Sequence, residues 1–130
     1  MRKSANASGV SGTDLDDFIR KSLTKIKKSG TAAVFLLKGG ELRRLKKLYT
    51  GKAPKKEVDV LAFPETGNFP HPENKKRFFG DIYLNQEIAK QRPDRARYLA
   101  AHGLLHLLGY THDGKNDTLK MEKKEQELLK

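Results

Sequence analysis

The sequence predicts an α/β fold: a single compact domain in which helices pack against a small mixed β-sheet. Apolar runs of strand length alternate along the chain with segments of helical periodicity. At 130 residues the chain is long enough for one packed core but not for two. Residues 1–12 are small, polar and rich in glycine and serine, which predicts a flexible N-terminal tail ahead of one domain over residues 13–130.

The first half of this domain is predicted to run helix, strand, helix, strand. Thr13 is the expected N-cap of the first helix, because Asp16 follows it three residues later. Residues 32–37 are a short apolar run typical of a strand covered on both faces, and a second helix is expected from Glu41 to Tyr49. Residues 58–63 form the next predicted strand. The strand–helix–strand order predicts that the two strands are a parallel pair.

The second half begins with a long loop. Residues 64–77 contain three prolines and no periodicity, and a loop of this length in a compact domain is usually functional. A strand is expected over residues 78–84, followed by a short helical turn. Pro93 suits the first position of the main helix, predicted over residues 93–108, and the last helix is expected over about 117–129.

Charge is the second global feature. The chain has 27 Lys and Arg residues against 16 Asp and Glu residues, a net charge of +11, which favours polyanionic partners. No segment has the aromatic-rich apolar face of an interfacial helix, and the longest apolar run is six residues, far below the roughly 20 that cross a bilayer. The basic first three residues precede no apolar segment, so we expect no signal peptide, and the absence of cysteine fits a reducing compartment. We therefore expect a soluble, cytoplasmic protein without a membrane partner.

Three of the four histidines lie between residues 101 and 113. His102 and His106 are four residues apart and project from one helix face, and Gly109 offers a left-handed helix stop that allows His112 to turn back towards them. Three neutral imidazoles that leave one position open suit a catalytic zinc ion, whereas thiolate zinc sites are excluded because there is no cysteine. The alternative is an accidental pair of histidines on a half-buried helix face.

Gly103 restricts the kind of reaction that this site is expected to catalyse. In zinc proteases of the His-Glu-x-x-His type, the residue after the first histidine is the general base, and glycine has no side chain to move a proton. A zinc ion with an open position activates water near neutral pH and polarises phosphate oxygens. Together with the basic charge, these residues predict a metal-dependent hydrolase that acts on a polyanion.

The segment HGLLHLLGYTH resembles the signature of the YbeY family of bacterial rRNA maturation factors, except that Thr111 stands where the family usually has Asp. DVLAFP (residues 59–64) is similar to the family's DVLSFP, and GDI (residues 80–82) is identical to its usual form. Residues 120–122 stand where the family has Glu-Met-Glu. The resemblance implies a zinc-dependent, single-strand-specific endoribonuclease with one zinc ion per chain. It further implies action on rRNA precursors, in 16S rRNA 3′ end processing and ribosome quality control, with the small ribosomal subunit and its proteins as partners.

One family residue is replaced. Family members usually carry an arginine, associated with phosphate binding, after the tyrosine that precedes DVLSFP, whereas here Thr50 follows Tyr49. Threonine has no guanidinium group. Lys52, Arg43 and Arg44 are the candidates to bind phosphate in its place, although each of them is more often simply solvated on a helix face. The expected site residues are, for catalysis, His102, His106, His112 and Lys52; for the metal, His102, His106 and His112; and for RNA binding, Arg43, Arg44, Lys47 and Lys52.

Other polar residues have two possible roles. Asp81 either orients a ligand imidazole or occupies a turn. Asp113, next to His112, is a candidate to replace the missing family Asp at position 111, although its side chain would point differently. Glu122 is either a base or a solvated helix residue. His71 is expected on the surface, with contact to the substrate or the metal as the alternative. Two functions also stay open: the endoribonuclease, and a non-catalytic assembly factor in which zinc stabilises the fold while the basic face binds rRNA.

Overall fold

The computed structural model describes residues 9–56, 58–65, 77–111 and 113–130. The predicted fold class is confirmed, because a three-stranded mixed sheet packs against helices. No helix in these ranges is long and apolar enough to cross a membrane. The elements are α1 (Gly12–Lys25), β1 (Gly30–Leu37), α2 (Gly39–Thr50), β2 (Val60–Pro64), β3 (Arg77–Asn85), α3 (Gln86–Gln91), α4 (Pro93–Leu107) and α5 (Lys115–Leu129).

The sheet has the order β1-β3-β2, in which β1 is parallel to β3 and β2 is antiparallel to β3. The predicted parallel pairing of β1 with β2 is therefore wrong. The central strand of the sheet is β3, which separates β1 from β2 and carries the fully buried Ile82 and Leu84. A strand–helix–strand pattern holds no information about a third strand that inserts between its two strands.

The inner face of the sheet forms the main core. Val34, Ile82 and Ala62 lie side by side across the three strands, and they face α1 and α4. The two helices bury their apolar side chains on this face, and α5 completes the cluster from the far side of α4. The core residues contributed by these three helices are Leu15, Ile19, Leu23, Ala96, Leu99, Ala100, Ala101, Leu104, Leu105, Leu107, Met121 and Leu128.

The outer face of the sheet is only partly covered. Side chains alternate along a strand, so Tyr83 and Phe63 point away from the face that carries Ile82. The α2 helix packs on this outer face against β2 and β3. Its Leu42 is fully buried there, whereas Tyr49, at the end of the helix, is 70% exposed.

Three helix starts differ from the predictions. The α2 helix begins at Gly39, two residues before the predicted Glu41. The N-cap of α1 is Ser11, not Thr13: the Ser11 hydroxyl accepts from the Asp14 N–H, and the Asp14 carboxylate accepts from the Ser11 N–H, both at 3.1 Å. Both candidate caps have an acidic residue three positions later, so the local pattern did not separate them. The last helix begins at Lys115, two residues earlier than predicted, after the cap residue Gly114.

The predicted tail is partly ordered against the domain. Val10 is buried, and its N–H donates to the Ala89 carbonyl at 2.8 Å. Residues 1–8 lie outside the described residues, as do residues 66–76 of the predicted long loop, with His71. The strand after that loop and the main helix start at Pro93 are confirmed.

Two glycines allow α4 and the strands to approach each other closely. A Cβ atom on Gly103 would lie 3.1 Å from Ile82 Cγ2, so the helix backbone rests directly on β3. Gly80 has a φ of +143°, and a Cβ there would collide with the Phe63 carbonyl oxygen and with the Leu107 side chain. The GDI segment thus needs its glycine for both backbone conformation and space.

Gly80→Ala should lower the free energy of unfolding by about 2 kcal/mol or more. The positive φ strains an alanine backbone, and the added Cβ overlaps the Phe63 carbonyl oxygen, so both effects destabilise the folded state. The matched control is Gly40→Ala, since Gly40 lies in the first turn of α2 with open space around its Cβ position. Urea denaturation followed by circular dichroism measures both. A Gly80→Ala protein as stable as the control would contradict the close packing of β3 against Phe63 and Leu107.

Candidate metal centre

The histidines are presented by the C-terminal half of α4. The helix ends in a Schellman motif, in which the Tyr110 N–H donates to the Leu105 carbonyl at 2.9 Å and the Gly109 N–H donates to the His106 carbonyl at 3.0 Å. Gly109 has a φ of +98°, which confirms the predicted left-handed stop. The helix therefore ends about one turn after His106, and the chain leaves the helical path at Gly109.

His102 and His106 face each other across one helical turn. Their Nε2 atoms are 3.1 Å apart, and the two ring planes are inclined by 76°. Two nitrogen ligands of a tetrahedral zinc ion, each at 2.0–2.1 Å from the metal, are separated by about 3.3 Å. The pair thus has the spacing of two ligands of one ion.

His112, the third predicted ligand, lies outside the described residues. Within the part of the chain that the structure describes, no group of three or more His, Asp or Glu side chains is placed to hold a metal ion. The neighbours Thr111 and Asp113 are exposed. A pocket of about 220 Å³ opens beside this turn and is lined by Leu108, Gly109, Tyr110, Thr111, Asp117 and Lys120.

The orientation of His102 is set by a buried carboxylate. Glu125 Oε2 lies 2.6 Å from His102 Nδ1, and the Glu125 side chain is only 6% exposed. A carboxylate only accepts hydrogen bonds, so Nδ1 carries the proton and donates it. In the neutral form of this ring the lone pair is on Nε2, the atom that faces His106. This is the arrangement in which a carboxylate orients a metal-binding imidazole.

Sequence reasoning missed Glu125 and considered its neighbour Glu122, which is exposed. A signal was present in the sequence. Met121 and Leu128 are buried on α5, and Glu125 falls between them at spacings of four and three residues, within the same helix stripe. An acidic residue inside an apolar stripe indicates a buried polar partner, but the stripe does not say which one.

Tyr98 stands beside the histidine pair, with its ring centroid 5.9 Å from that of His102. Burial raises the pKa of Tyr98, and the Glu125 carboxylate raises it further, while Arg95, whose guanidinium carbon is 5.5 Å from the ring centroid, acts in the opposite direction. The hydroxyl therefore keeps its proton at neutral pH and remains a potential donor at the edge of the site.

Asp81 belongs to the other side of the sheet. It alternates with Ile82, so its carboxylate lies on the outer face, next to Tyr83 and Glu65. Burial, and then the Glu65 charge, raise the pKa of Asp81. The carboxylate partner of a histidine ring comes from α5, not from β3.

The predicted RNA-binding residues lie on and after α2, so the structure does not group them with the histidines on α4. The Arg43 guanidinium donates to the Pro54 carbonyl at 3.0 Å and to the Lys56 carbonyl at 3.2 Å, which pins the loop after the helix. Arg44 and Lys47 are exposed on the helix, and Lys52 is exposed just after it.

Thr50, which stands where the family has arginine, forms hydrogen bonds at the C-terminal end of α2. Its Oγ1 is 2.9 Å from the Lys46 carbonyl and accepts from the Lys52 N–H at 3.3 Å. Gly51 follows with a φ of +80° and ends the helix. The threonine thus shapes the turn that presents Lys52.

Comparison with known proteins places the chain in a family. The family model described as Endoribonuclease YbeY matches residues 3–130. Endoribonuclease YbeY of Myxococcus xanthus (strain DK1622) is 34% identical over 125 residues, which cover 88% of this chain and 41% of that protein. Endoribonuclease YbeY of Rhodopseudomonas palustris (strain ATCC BAA-98 / CGA009) is 30% identical over 105 residues, covering 75% of this chain and 54% of that protein.

The chain spans about half the length of these curated relatives. The solution structure of TM1509 from Thermotoga maritima is similar in fold, with a TM-score of 0.52 and 22% identity over 92% of this chain and 85% of that chain. The match of the family model to almost the whole chain shows that this protein belongs to the YbeY endoribonuclease family.

Proposed function

We propose that this chain is a zinc-dependent endoribonuclease that cleaves single-stranded rRNA precursors in the cytoplasm. The observation that carries the proposal is the linked set of His102, His106 and Glu125, in which a buried carboxylate fixes one of two facing imidazoles. Membership of the family supports the reaction class. The proposed role is 16S rRNA 3′ end processing and ribosome quality control at the small subunit, the setting that the family resemblance implies.

The side chains present fit a zinc ion. His102 and His106 would hold it through Nε2, and we propose His112 as the third ligand, because the chain leaves the path of α4 at Gly109, three residues before it. Nitrogen donors with one open position are the donor set of catalytic zinc sites. When bound, the ion supplies Lewis acidity towards water and phosphate oxygens.

Other residues of the chain have proposed roles in orienting the ligand, in donating hydrogen bonds and in binding phosphate. Glu125 holds the His102 ring in place, and Tyr98, one helical turn before His102 on α4, has a hydroxyl that is a neutral donor. Gly103 has no side chain that could act as a general base, and a Cβ at this position would already lie 3.1 Å from Ile82 Cγ2. The general base of the His-Glu-x-x-His proteases is therefore missing, which disfavours peptide hydrolysis. We assign the phosphate-binding charge to Lys52, which the Thr50 turn presents to solvent.

The direct experiment compares the zinc content and RNA cleavage of histidine variants. His102→Ala, His106→Ala and His112→Ala should each lose most of the bound zinc and most of the cleavage of a single-stranded oligoribonucleotide, because each removes one of only three ligands. His71→Ala is the control and should keep both. Elemental analysis and gel-based cleavage assays give the two readouts.

Wild-type zinc content and cleavage in any of the three variants would remove that residue from the ligand set. Full cleavage by protein stripped of metal would overturn metal dependence. A zinc-loaded wild-type protein that binds RNA without cleaving it would instead support the non-catalytic assembly factor.

The role of Glu125 has its own test. Glu125→Gln should weaken zinc binding by about 10- to 100-fold, because a neutral amide orients and polarises His102 less well than a carboxylate. Glu122→Gln is the matched control, since Glu122 lies exposed on the same helix and removes the same charge. Competition with a chromogenic chelator measures both affinities. Equal zinc affinity in the two variants would show that Glu125 does not prepare the ligand.

A further inference from the structure

Four aromatic rings form a continuous row on the outer face of the sheet. Phe35 and Tyr83 are stacked, with ring centroids 5.2 Å apart and planes inclined by 22°. Phe63 meets Tyr83 edge to face at 5.6 Å, and Tyr49 meets Phe63 edge to face at 4.8 Å. The rings come from β1, β3, β2 and α2, so the row crosses the whole sheet. We refer to these four residues as the aromatic row.

The two ends of the aromatic row are open to solvent. Phe35 is 44% exposed and Tyr49 is 70% exposed, whereas Phe63 and Tyr83 between them are partly buried. Aromatic side chains of a small domain usually bury most of their area, because each removes a large apolar surface from water. A row of linked rings that stays exposed at both ends has the form of a stacking surface and not of a core.

The positive charge of the protein is concentrated next to this row. The segment from Lys38 to Lys56 contains eight basic residues and one acidic residue, a net charge of +7 out of +11 for the whole chain. This segment is α2 with its following loop, and Tyr49 belongs to it. Arg44 and Lys47 are exposed on the helix, so their charges are available to a ligand that lies across the outer face.

This combination fits one class of ligand. Proteins that hold single-stranded nucleic acid combine aromatic rings, on which bases stack, with a basic track that follows the phosphates. Asp81 adds a carboxylate acceptor on the same face, which matches the exocyclic amino groups of bases. A protein partner with an apolar patch would bury the rings but would leave the +7 segment without countercharge.

We propose that the aromatic row is a platform on which unpaired bases of the RNA substrate stack, while the basic residues of α2 hold the phosphates. The proposal rests on the proposed function and assigns the substrate contact that selects single strands. Bases in a duplex are already stacked and paired, so they cannot lie on these rings. The platform is on the face of the sheet opposite α4, so the strand would pass around the edge strand β2 to reach the histidines.

The test compares ring-removing variants with a non-aromatic control. Phe35→Leu and Tyr49→Leu should each weaken the affinity of the zinc-loaded protein for a fluorescein-labelled, cleavage-resistant 12-nucleotide single strand, made of 2′-O-methyl phosphorothioate RNA, by about 5- to 150-fold, the usual effect of one lost base stack. Leu48→Ala, at the 78% exposed neighbour of Tyr49, should have no effect. Tyr49→Phe keeps the ring and should bind like the wild type. Fluorescence anisotropy measures affinity, and a gel confirms that the RNA stays intact.

Two further readouts separate stacking from charge. The affinity for an RNA duplex of equal length and the slope of log affinity against log salt should stay unchanged in the ring variants, because the phosphate contacts persist. An RNA that carries 5-iodouridine should photo-crosslink to residues of the aromatic row in the unmodified protein, a result that does not depend on how any variant folds.

The other possible results contradict either the platform or the proposed endoribonuclease function. Wild-type affinity in both leucine variants, or crosslinks only outside the row, would overturn the platform while leaving the endoribonuclease proposal intact. An equal loss on single-stranded and duplex RNA would show that the rings do not read unpaired bases, which also overturns it. A wild-type protein that binds no single-stranded RNA would contradict the proposed function itself.

Discussion

The hydrogen bond between Glu125 and His102 is the interaction on which the proposed site depends. Burying a carboxylate costs several kcal/mol unless a partner compensates it, and at 2.6 Å the His102 Nδ1–H is that partner. The same contact joins α5 to α4 and leaves the lone pair of His102 on the atom that faces His106. A single interaction thus links the packing of two helices to the donor geometry of a metal site. Its loss would cost both fold stability and ligand orientation.

The sheet lies between the candidate metal centre and the proposed RNA platform. Because Gly103 and Gly80 have no side chains, α4 lies directly on β3, so the histidines are positioned by the most buried strand of the domain. The opposite face of that strand carries Tyr83, in the middle of the aromatic row. One strand therefore supports the candidate metal centre on one side and the proposed RNA platform on the other. In this arrangement the rigid strand β3 fixes the distance between the candidate metal centre and the proposed base-stacking platform.

Most local features of the site were predictable from the sequence, whereas the contacts between distant segments were not. The spacing of His102 and His106, and the helix stop at Gly109, follow from the geometry of a single turn, and the structure confirms that the pair converges and the chain turns there. Glu125 was missed because its partner lies 23 residues away, and the strand order was missed because β3 inserts between two strands adjacent in the sequence. The aromatic row unites residues from four separate elements. No periodicity in the sequence reports such a contact.

The most direct test of the central claim is the protonation pattern of His102, measured by long-range proton–nitrogen NMR of the imidazole rings with and without zinc. We predict that Nδ1 carries the proton in both states, because the Glu125 carboxylate accepts it, and that only the Nε2 resonance shifts when zinc is added. A metal-free protein in which His102 carries its proton on Nε2, or a zinc titration that leaves Nε2 unshifted, would contradict the claim that Glu125 prepares this ring as a zinc ligand.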